Sequence, residues 1–235
     1  MMDKTLLKPT LMRLGFPYIE TGELRDWKRL ADQYGWPLVV KPTRNTSGSR
    51  GVYLVRDEAG MTRLVAALDS AIHTIVQPYV GSDDEEYTIG VLTDKEGALI
   101  DCIVIKRKLT GLSLLTEYNA GGRRCAISPG YSQGFVVRDE QIQTFCENLA
   151  LQLGSVGPLN IQLRRNGETL FVMEIHPRFS GTTSMRADVG FNEVDILLRN
   201  KLFNERFTRL NYRQNVAVIR ALEHVVVPME KLLKK

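Results

Sequence analysis

Apolar and polar positions alternate most cleanly between residues 157 and 182, GPLNIQLRRNGETLFVMEIHPRFSGT. Side chains in a strand repeat every two residues. Asn160 and Gln162 therefore share one face, and further on Glu174 and His176 share one face. Ile161, Leu163, Phe171, Val172 and Ile175 supply enough apolar surface to fix both runs in a sheet. Asn166-Gly167 between them favours a tight two-residue turn, so the stretch predicts a β-hairpin with Arg178 just past its end.

Elsewhere the period changes along the chain. Asp3 predicts the cap of a short helix carrying Leu6, Leu7, Leu11 and Leu14, kinked or halved at Pro9 and ended by Gly15. Leu24, Trp27, Leu30 and Ala31 recur at helical spacing over 23–34 and stop at Gly35. PLVVKP (37–42) and VYLVR (52–56) read as strands on either side of the polar RNTSGSRG. Asp57 caps a helix with Met61, Leu64, Val65 and Leu68 inward, and HTIVQPYV (73–80) is a strand broken by Pro78. After the acidic SDDEE come two long strands, YTIGVLTD and ALIDCIVIKR, turned at Lys95-Glu96-Gly97. Residues 108–137, rich in Gly, Ser and Thr, show little periodicity and read as a long functional loop. Asp139 opens a helix with Ile142, Phe145, Leu149 and Leu153 on one face, closed by Gly154. Val194, Ile196, Leu197, Leu198 and Leu202 predict a helix over 192–203, and 215–227 is a Val-rich strand. Antiparallel hairpins mixed with helices make this an α+β chain.

Composition narrows the function classes. The 235 residues are 43% hydrophobic and 25% charged, ordinary for a globular chain able to bury a core. A net charge of +4 gives no indication of a nucleic-acid-binding face. No apolar run reaches bilayer length and the start lacks a signal-peptide pattern, so a cytoplasmic protein with neither a membrane nor a nucleic-acid partner is expected. Cys102, Cys125 and Cys146 lie far apart without a CxxC pair and read as reduced, buried thiols. His73 and His224 sit in apolar strands and read as structural; nucleophile-elbow and zinc-ligand spacings are absent.

The candidate chemistry lies in several separate places. An amide oxygen and a carboxylate on one face suit a hard cation such as Mg²⁺, which shares its shell with substrate phosphates. The plain alternative is the polar outer face of an amphipathic hairpin. Lys41 precedes the glycine-bearing Thr46-Ser47-Gly48-Ser49-Arg50-Gly51. Such a loop can aim backbone N–H groups at phosphate oxygens while the lysine supplies a point charge; otherwise it is an ordinary hairpin loop. Gln77-Pro78-Tyr79-Val80 reads either as a strand end or as a hinge offering backbone amides to an adenine edge. Glu85 and Glu86 are candidates for ribose hydroxyls or simply solvated, and Arg123 and Arg124 for a carboxylate grip or plain surface charge.

The order of these pieces is more specific than any one of them. Strand-Lys-Pro, a Ser/Gly loop and a strand are followed by Q-x-Y-V, Gly and E-Y-T, then by G-P-x-N-x-Q and E-x-H-P-R-x-S-G. From Asp3-Lys4 to about Phe203 the chain resembles the ATP-grasp superfamily, most closely its carbamoyl-phosphate-synthase-like branch of carboxylate–amine ligases. The resemblance implies two α+β lobes around a nucleotide cleft: a linker helix over 1–16, a small lobe with the Gly/Ser flap over 17–80, and a large lobe with the metal-binding hairpin over 81–235. It also implies an acyl phosphate made from Mg-ATP and a small carboxylate, then captured by an amine or another nucleophile. Lys4 and Lys41 would contact nucleotide phosphates, with Ser47, Gly48 and Ser49 in the flap over them. Gln77, Tyr79 and Val80 would belong to the adenine hinge, with Glu86 at the ribose and Glu85 a close second. Gln162 and Glu174 would hold Mg²⁺, while Arg178 and Arg107 would face the transferred group. The family's E-x-N-P-R has Asn where this chain has His176, a softer ligand that would favour Mn²⁺ or leave one metal position weak. The family's N-terminal acceptor-binding domain is not recognisable in these residues. The resemblance therefore leaves open a nucleotide-binding subunit that is inactive without a separately encoded acceptor-binding polypeptide; a homo-oligomer is equally open.

Overall fold

The structure, a computed structural model, describes residues 3–44, 49–69, 72–120 and 122–221. Asp3 caps the start by accepting from the Thr5 N–H at 3.0 Å, and one 3-10 turn, Lys4–Leu6, runs into α1 (Leu7–Arg13). Pro9 falls in the first turn of α1, where a missing N–H costs nothing, so the halving comes at Leu6/Leu7 rather than at the proline.

A four-stranded antiparallel sheet follows, formed by β1 (Gly22–Glu23), β2 (Leu38–Pro42), β3 (Tyr53–Val55) and β4 (Thr74–Pro78) in the order β1-β4-β2-β3. Leu38 and Val40 point to α2 (Trp27–Tyr34) and α3 (Glu58–Ala67), packing with Leu30, Val55, Met61 and Val76. Gly35 ends α2 with φ +74°, where a side chain would be strained. Val65 departs from expectation: it is 42% exposed, because one residue past Leu64 carries it around the helix from the core.

The larger sheet has six antiparallel strands: β5 (Glu86–Thr93), β6 (Leu99–Arg107), β9 (Gly134–Val137), β10 (Pro158–Asn166), β11 (Thr169–His176) and β12 (Val216–Val218). Their order is β11-β10-β5-β6-β9-β12. Ile89, Val91, Val104, Ile161 and Leu163 face α1 and α4 (Glu140–Gln152), whose Asp139 cap accepts from the Ile142 N–H at 3.0 Å. On the opposite face, Ile103 and Ile105 meet Val136, Phe191, Ile196 and Tyr212. That cover is partial. The rest of the face, under β10, β11 and the start of β5, opens toward the smaller sheet.

Several expectations change here. Asn166 pairs with Thr169, so the hairpin loop is Gly167–Glu168, with Gly167 supplying the positive φ (+59°) at its first position. Residues 108–137 are not one irregular loop: they contain β7 (Thr116–Ala120) and β8 (Arg123–Ile127), a separate hairpin, before β9. Distant side chains hold it: the Tyr79 hydroxyl accepts from the Ala126 N–H at 2.8 Å, and Arg56 lies 4.5 Å over the Tyr118 ring. Between β11 and α6 (Glu193–Phe203) a short α5 (Thr183–Asp188) intervenes. In α6, Ile196 is buried while Val194, Leu198 and Leu202 are exposed. Of the strand expected over 215–227, Val216–Val218 forms β12; residues 222–227, including His224, lie outside the described residues. His73 is exposed and contributes its carbonyl to the Thr43 N–H at 3.0 Å. All three cysteines are buried and none forms a disulfide. Among the described residues no helix is long and apolar enough to cross a membrane.

Candidate functional site

Alternation along adjacent strands sets out the open face of the larger sheet in rows. At one end Arg164 on β10 pairs with Glu86 on β5, and Arg107 on β6 reaches the same carboxylate. In the next row Glu174, Gln162 and Thr88 stand side by side on β11, β10 and β5. In the third, His176, Asn160 and Gly90 do the same. A two-residue step separates the rows, about 6.6 Å along a strand.

The smaller sheet supplies the opposing wall. Leu38, Val40 and Pro42 of β2 face inward, so Val39 and Lys41 project the other way and line the cleft with Gln77. Lys4 joins them from the first turn, whose N–H donates to the Thr43 carbonyl at 3.2 Å. Lys4, Lys41, Ser49, Gln77, Tyr79, Val80, Glu86, Arg107, Gln162, Glu174, His176 and Arg178 thus line a single cleft. Ser47 and Gly48 lie outside the described residues.

Electrostatics divide the cleft. Removal from water pushes the Lys41 ammonium down to about 8; Glu174 opposes the shift, while Lys4 and Arg164 add to it. For Glu174 burial works toward the neutral acid, but His176, then Lys41 and Lys4, outweigh it and hold the carboxyl below its ordinary value. Lys41, Lys4 and Arg164 thus surround one carboxylate with positive charge.

Several residues are engaged differently from what their position in the sequence suggests. Glu86 is 3% exposed: Arg107 Nη1 contacts Oε1, and Arg164 Nε and Nη2 donate to Oε2 at 2.9 and 2.7 Å. Burial pushes this carboxyl up, yet the two arginines hold it below the usual range. Both oxygens thus hold guanidinium groups, so in this structure the Glu86 carboxylate serves first as the shared partner of Arg107 and Arg164. Glu85 is also occupied, accepting from the Tyr87 hydroxyl at 2.6 Å and Lys106 Nζ at 2.5 Å. In the hinge segment, the Tyr79 N–H donates to the Pro37 carbonyl at 3.1 Å, so it offers nothing to a base edge. The Gln77 amide donates to Thr21 Oγ1 at 2.6 Å. Arg178 is exposed and its Nη1 donates to the Phe179 carbonyl at 2.8 Å. Arg124 is tied to Asp83 and Glu117 and donates to the Leu109 carbonyl at 3.0 Å, so it is a brace for the hairpin rather than a carboxylate grip. The side chain of Arg123 lies outside what is described.

Arg164 and Ser128 also line the cleft. Arg164 is buried, lies 4.0 Å over the Tyr79 ring, and donates to the Ala126 carbonyl at 2.9 Å. Its signal was present in the sequence: it continues the parity of Asn160 and Gln162. Ser128 Oγ, which accepts from Arg107 Nη2 at 2.5 Å, had no such signal, because only the hairpin β7–β8 delivers it.

Gln162 and Glu174 are Cα partners that bring one amide and one carboxylate to the same place. His176 Nε2 is 3.0 Å from Glu174 Oε1, which directs the imidazole to the carboxylate, and its buried Nδ1 has no partner among the described residues. Among the described residues no three or more His, Cys, Asp or Glu side chains gather around one point. Two hard oxygen donors are too few for a closed protein cage, but they fit Mg²⁺ that draws its remaining ligands from phosphate and water.

Residues 71–225 match the family described as ATP-grasp in the biosynthetic pathway with Ter operon. The carbamoyl phosphate synthase large chain of Methanospirillum hungatei is 25% identical over 205 residues, which cover 86% of this chain and 18% of that protein. The corresponding protein of Methanothrix thermoacetophila is 24% identical over 237 residues, covering 98% and 21%. The chain therefore spans about a fifth of the length of these curated relatives. Among solved structures, the carboxyaminoimidazole ribonucleotide synthase of Aspergillus clavatus complexed with ATP superposes with TM-score 0.60 at 15% identity, over 84% of this chain and 50% of that one. The biotin carboxylase domain of the Hydrogenobacter thermophilus 2-oxoglutarate carboxylase, solved with MgADP, ADP and bicarbonate, gives TM-score 0.60 at 16% identity, over 90% and 47%. These likenesses establish the fold.

Proposed function

The chain belongs to the ATP-grasp family, and on that premise we propose that it binds Mg-ATP and transfers the γ-phosphoryl group to a small carboxylate, as the ATP-handling part of a carboxylate–amine ligase. The observation that carries the proposal is the second row: Gln162 and Glu174 side by side, opposite Lys41 across one cleft. Solved proteins of this fold were captured with ATP and with MgADP, which supports the nucleotide as the ligand.

In this reading Lys41 and Lys4 meet the polyphosphate, and Gln162 and Glu174 hold Mg²⁺, which when bound would offset charge on the β- and γ-phosphates. His176 fixes one oxygen of Glu174 by its hydrogen bond, leaving the other for the cation. Arg178 swings from the Phe179 carbonyl to the transferred group, where a guanidinium offsets developing charge. Arg107, braced by Glu86 and Ser128, keeps the far side of the cleft cationic. The carboxylate attacks the γ-phosphorus as the bridging oxygen leaves with ADP, and an amine then displaces phosphate from the acyl phosphate. Little covalent chemistry is asked of the protein; it positions the partners and excludes water.

Thermal shift with Mg-ATP, followed by an ADP-release screen over small carboxylates and amines, tests the proposal. Nucleotide saturating at a hundred times its dissociation constant adds about 2.7 kcal/mol of stability. No shift with any nucleotide would end it. Binding without turnover until a second polypeptide is added would favour the subunit alternative.

A further inference from the structure

The third row contains a side chain from outside the sheet. Gly90, at its centre, leaves a gap that the guanidinium of Arg186 fills: a Cβ there would stand 2.6 Å from Arg186 Cζ and 2.8 Å from Glu193 Oε1. Arg186 is 1% exposed and Glu193 0%, and they pair at 2.8 Å, with Thr183 Oγ1 donating to the other Glu193 oxygen at 2.8 Å. Both Glu193 oxygens and both Arg186 Nη groups are met, as charges this deep require, while Arg186 Nε has no partner among the described residues. The other arm, Arg186 Nη2, donates to Asn160 Oδ1 at 2.6 Å, and Thr88 Oγ1 lies 3.2 Å from the same atom.

A guanidinium has donors and no acceptor. The Asn160 atom facing it is therefore the amide oxygen on chemical grounds, independent of how an amide is oriented by convention. That oxygen is turned under the sheet's cover and satisfied. What Asn160 has left for the cleft it lines, between His176 and Gln162, is its NH₂ group.

We propose that Arg186 is a positioning residue: by holding the Asn160 oxygen it makes Asn160 a donor to the γ-phosphoryl oxygens of the bound nucleotide, and withdraws it from use as a cation ligand. The inference rests on the nucleotide reading above. The third row lies two steps, about 13 Å, from the row whose Arg164 touches the Val80 carbonyl, and it adjoins the Gln162–Glu174 pair. A group there meets the phosphate end of the ligand rather than the base.

The test measures Mg·AMP-PNP and Mg·ADP binding calorimetrically in the wild type, Asn160→Asp, Asn160→Ala, and Arg186→Gln combined with Glu193→Gln. Both Asn160 variants should lose about tenfold or more in AMP-PNP affinity, the size of one hydrogen bond to a charged group, with ADP affinity within about twofold. The double variant frees the amide to rotate, so the Asn160 NH₂ resonances should shift and part of the AMP-PNP preference should go. A role in packing alone would instead weaken both nucleotides together. Asn160→Asp binding Mg·AMP-PNP as tightly as the wild type, or more tightly, would overturn the inference, because it would put an oxygen where a cation accepts it. Should the double variant fail to fold, the Asn160 variants, which keep the ion pair, decide alone. A wild type that binds neither nucleotide sinks the proposed function; inorganic tripolyphosphate then decides, its failure to shift the Asn160 NH₂ resonances overturning this inference and a shift supporting it.

Discussion

Gly90 and Arg186 share one position of the sheet: the glycine leaves the space and the guanidinium, brought by α5, occupies it. Gly90→Ala would force a methyl group against a buried ion pair that cannot move without uncoupling from Glu193 or Asn160. The expected cost is about 1–3 kcal/mol, as for other overpacked cores, and a urea denaturation midpoint measures it. An unchanged midpoint would mean that the Arg186 side chain has room elsewhere.

Glu86 separates two accounts of its row. As the shared partner of Arg107 and Arg164, its replacement by alanine leaves two buried guanidinium groups facing each other. Glu86→Ala should cost about 3–5 kcal/mol in stability. A contact to ribose would instead raise the KM for ATP and leave the denaturation curve in place.

Glu174→Ala should reduce ATP turnover at least a hundredfold, on the order of what one preorganised electrostatic group supplies, and remove the Mg²⁺ dependence of nucleotide binding. The measurements are ADP release and thermal shift with and without the metal. Full activity in this variant would refute the cation assignment at Gln162 and Glu174.

Lys41 gives the cleft a pH dependence with a defined sign. Its ammonium is held down to about 8, below the ordinary lysine value of 10.5. Between those two values the unfolded chain binds more protons than the folded one, so this group's penalty on folding is relieved as pH rises through the window. A polyphosphate favours the charged form. Nucleotide affinity should therefore fall as pH rises above about 8, and binding near pH 8.5 should take up a proton. Titration calorimetry in buffers of different ionisation enthalpy reads that proton, and Lys41→Met should abolish it.

Period and punctuation carried much of the architecture. The alternation in 158–176 required a hairpin with Asn160, Gln162, Glu174 and His176 on one face, because a strand offers only two. Asp3, Asp57 and Asp139 marked helix starts because a side-chain oxygen before an apolar run satisfies an otherwise unpaired N–H. Even Arg164 was legible, by parity with its neighbours.

Tertiary structure alone decided which of those polar groups are available. Glu86 and Glu85 are adjacent acids in the sequence; only the register of β5 against β6 and β10 places one between two arginines and the other beside a lysine and a tyrosine. Asn160 was visible on the right face, but the direction of its amide depends on Arg186, which lies 26 residues away and enters through the gap at Gly90. The hairpin β7–β8 had no apolar period to announce it, since Tyr79, Arg56 and Asp83 hold it from elsewhere in the chain. Local pattern fixes which side of an element a residue takes, whereas a hydrogen bond between residues far apart in sequence exists only once the chain has folded.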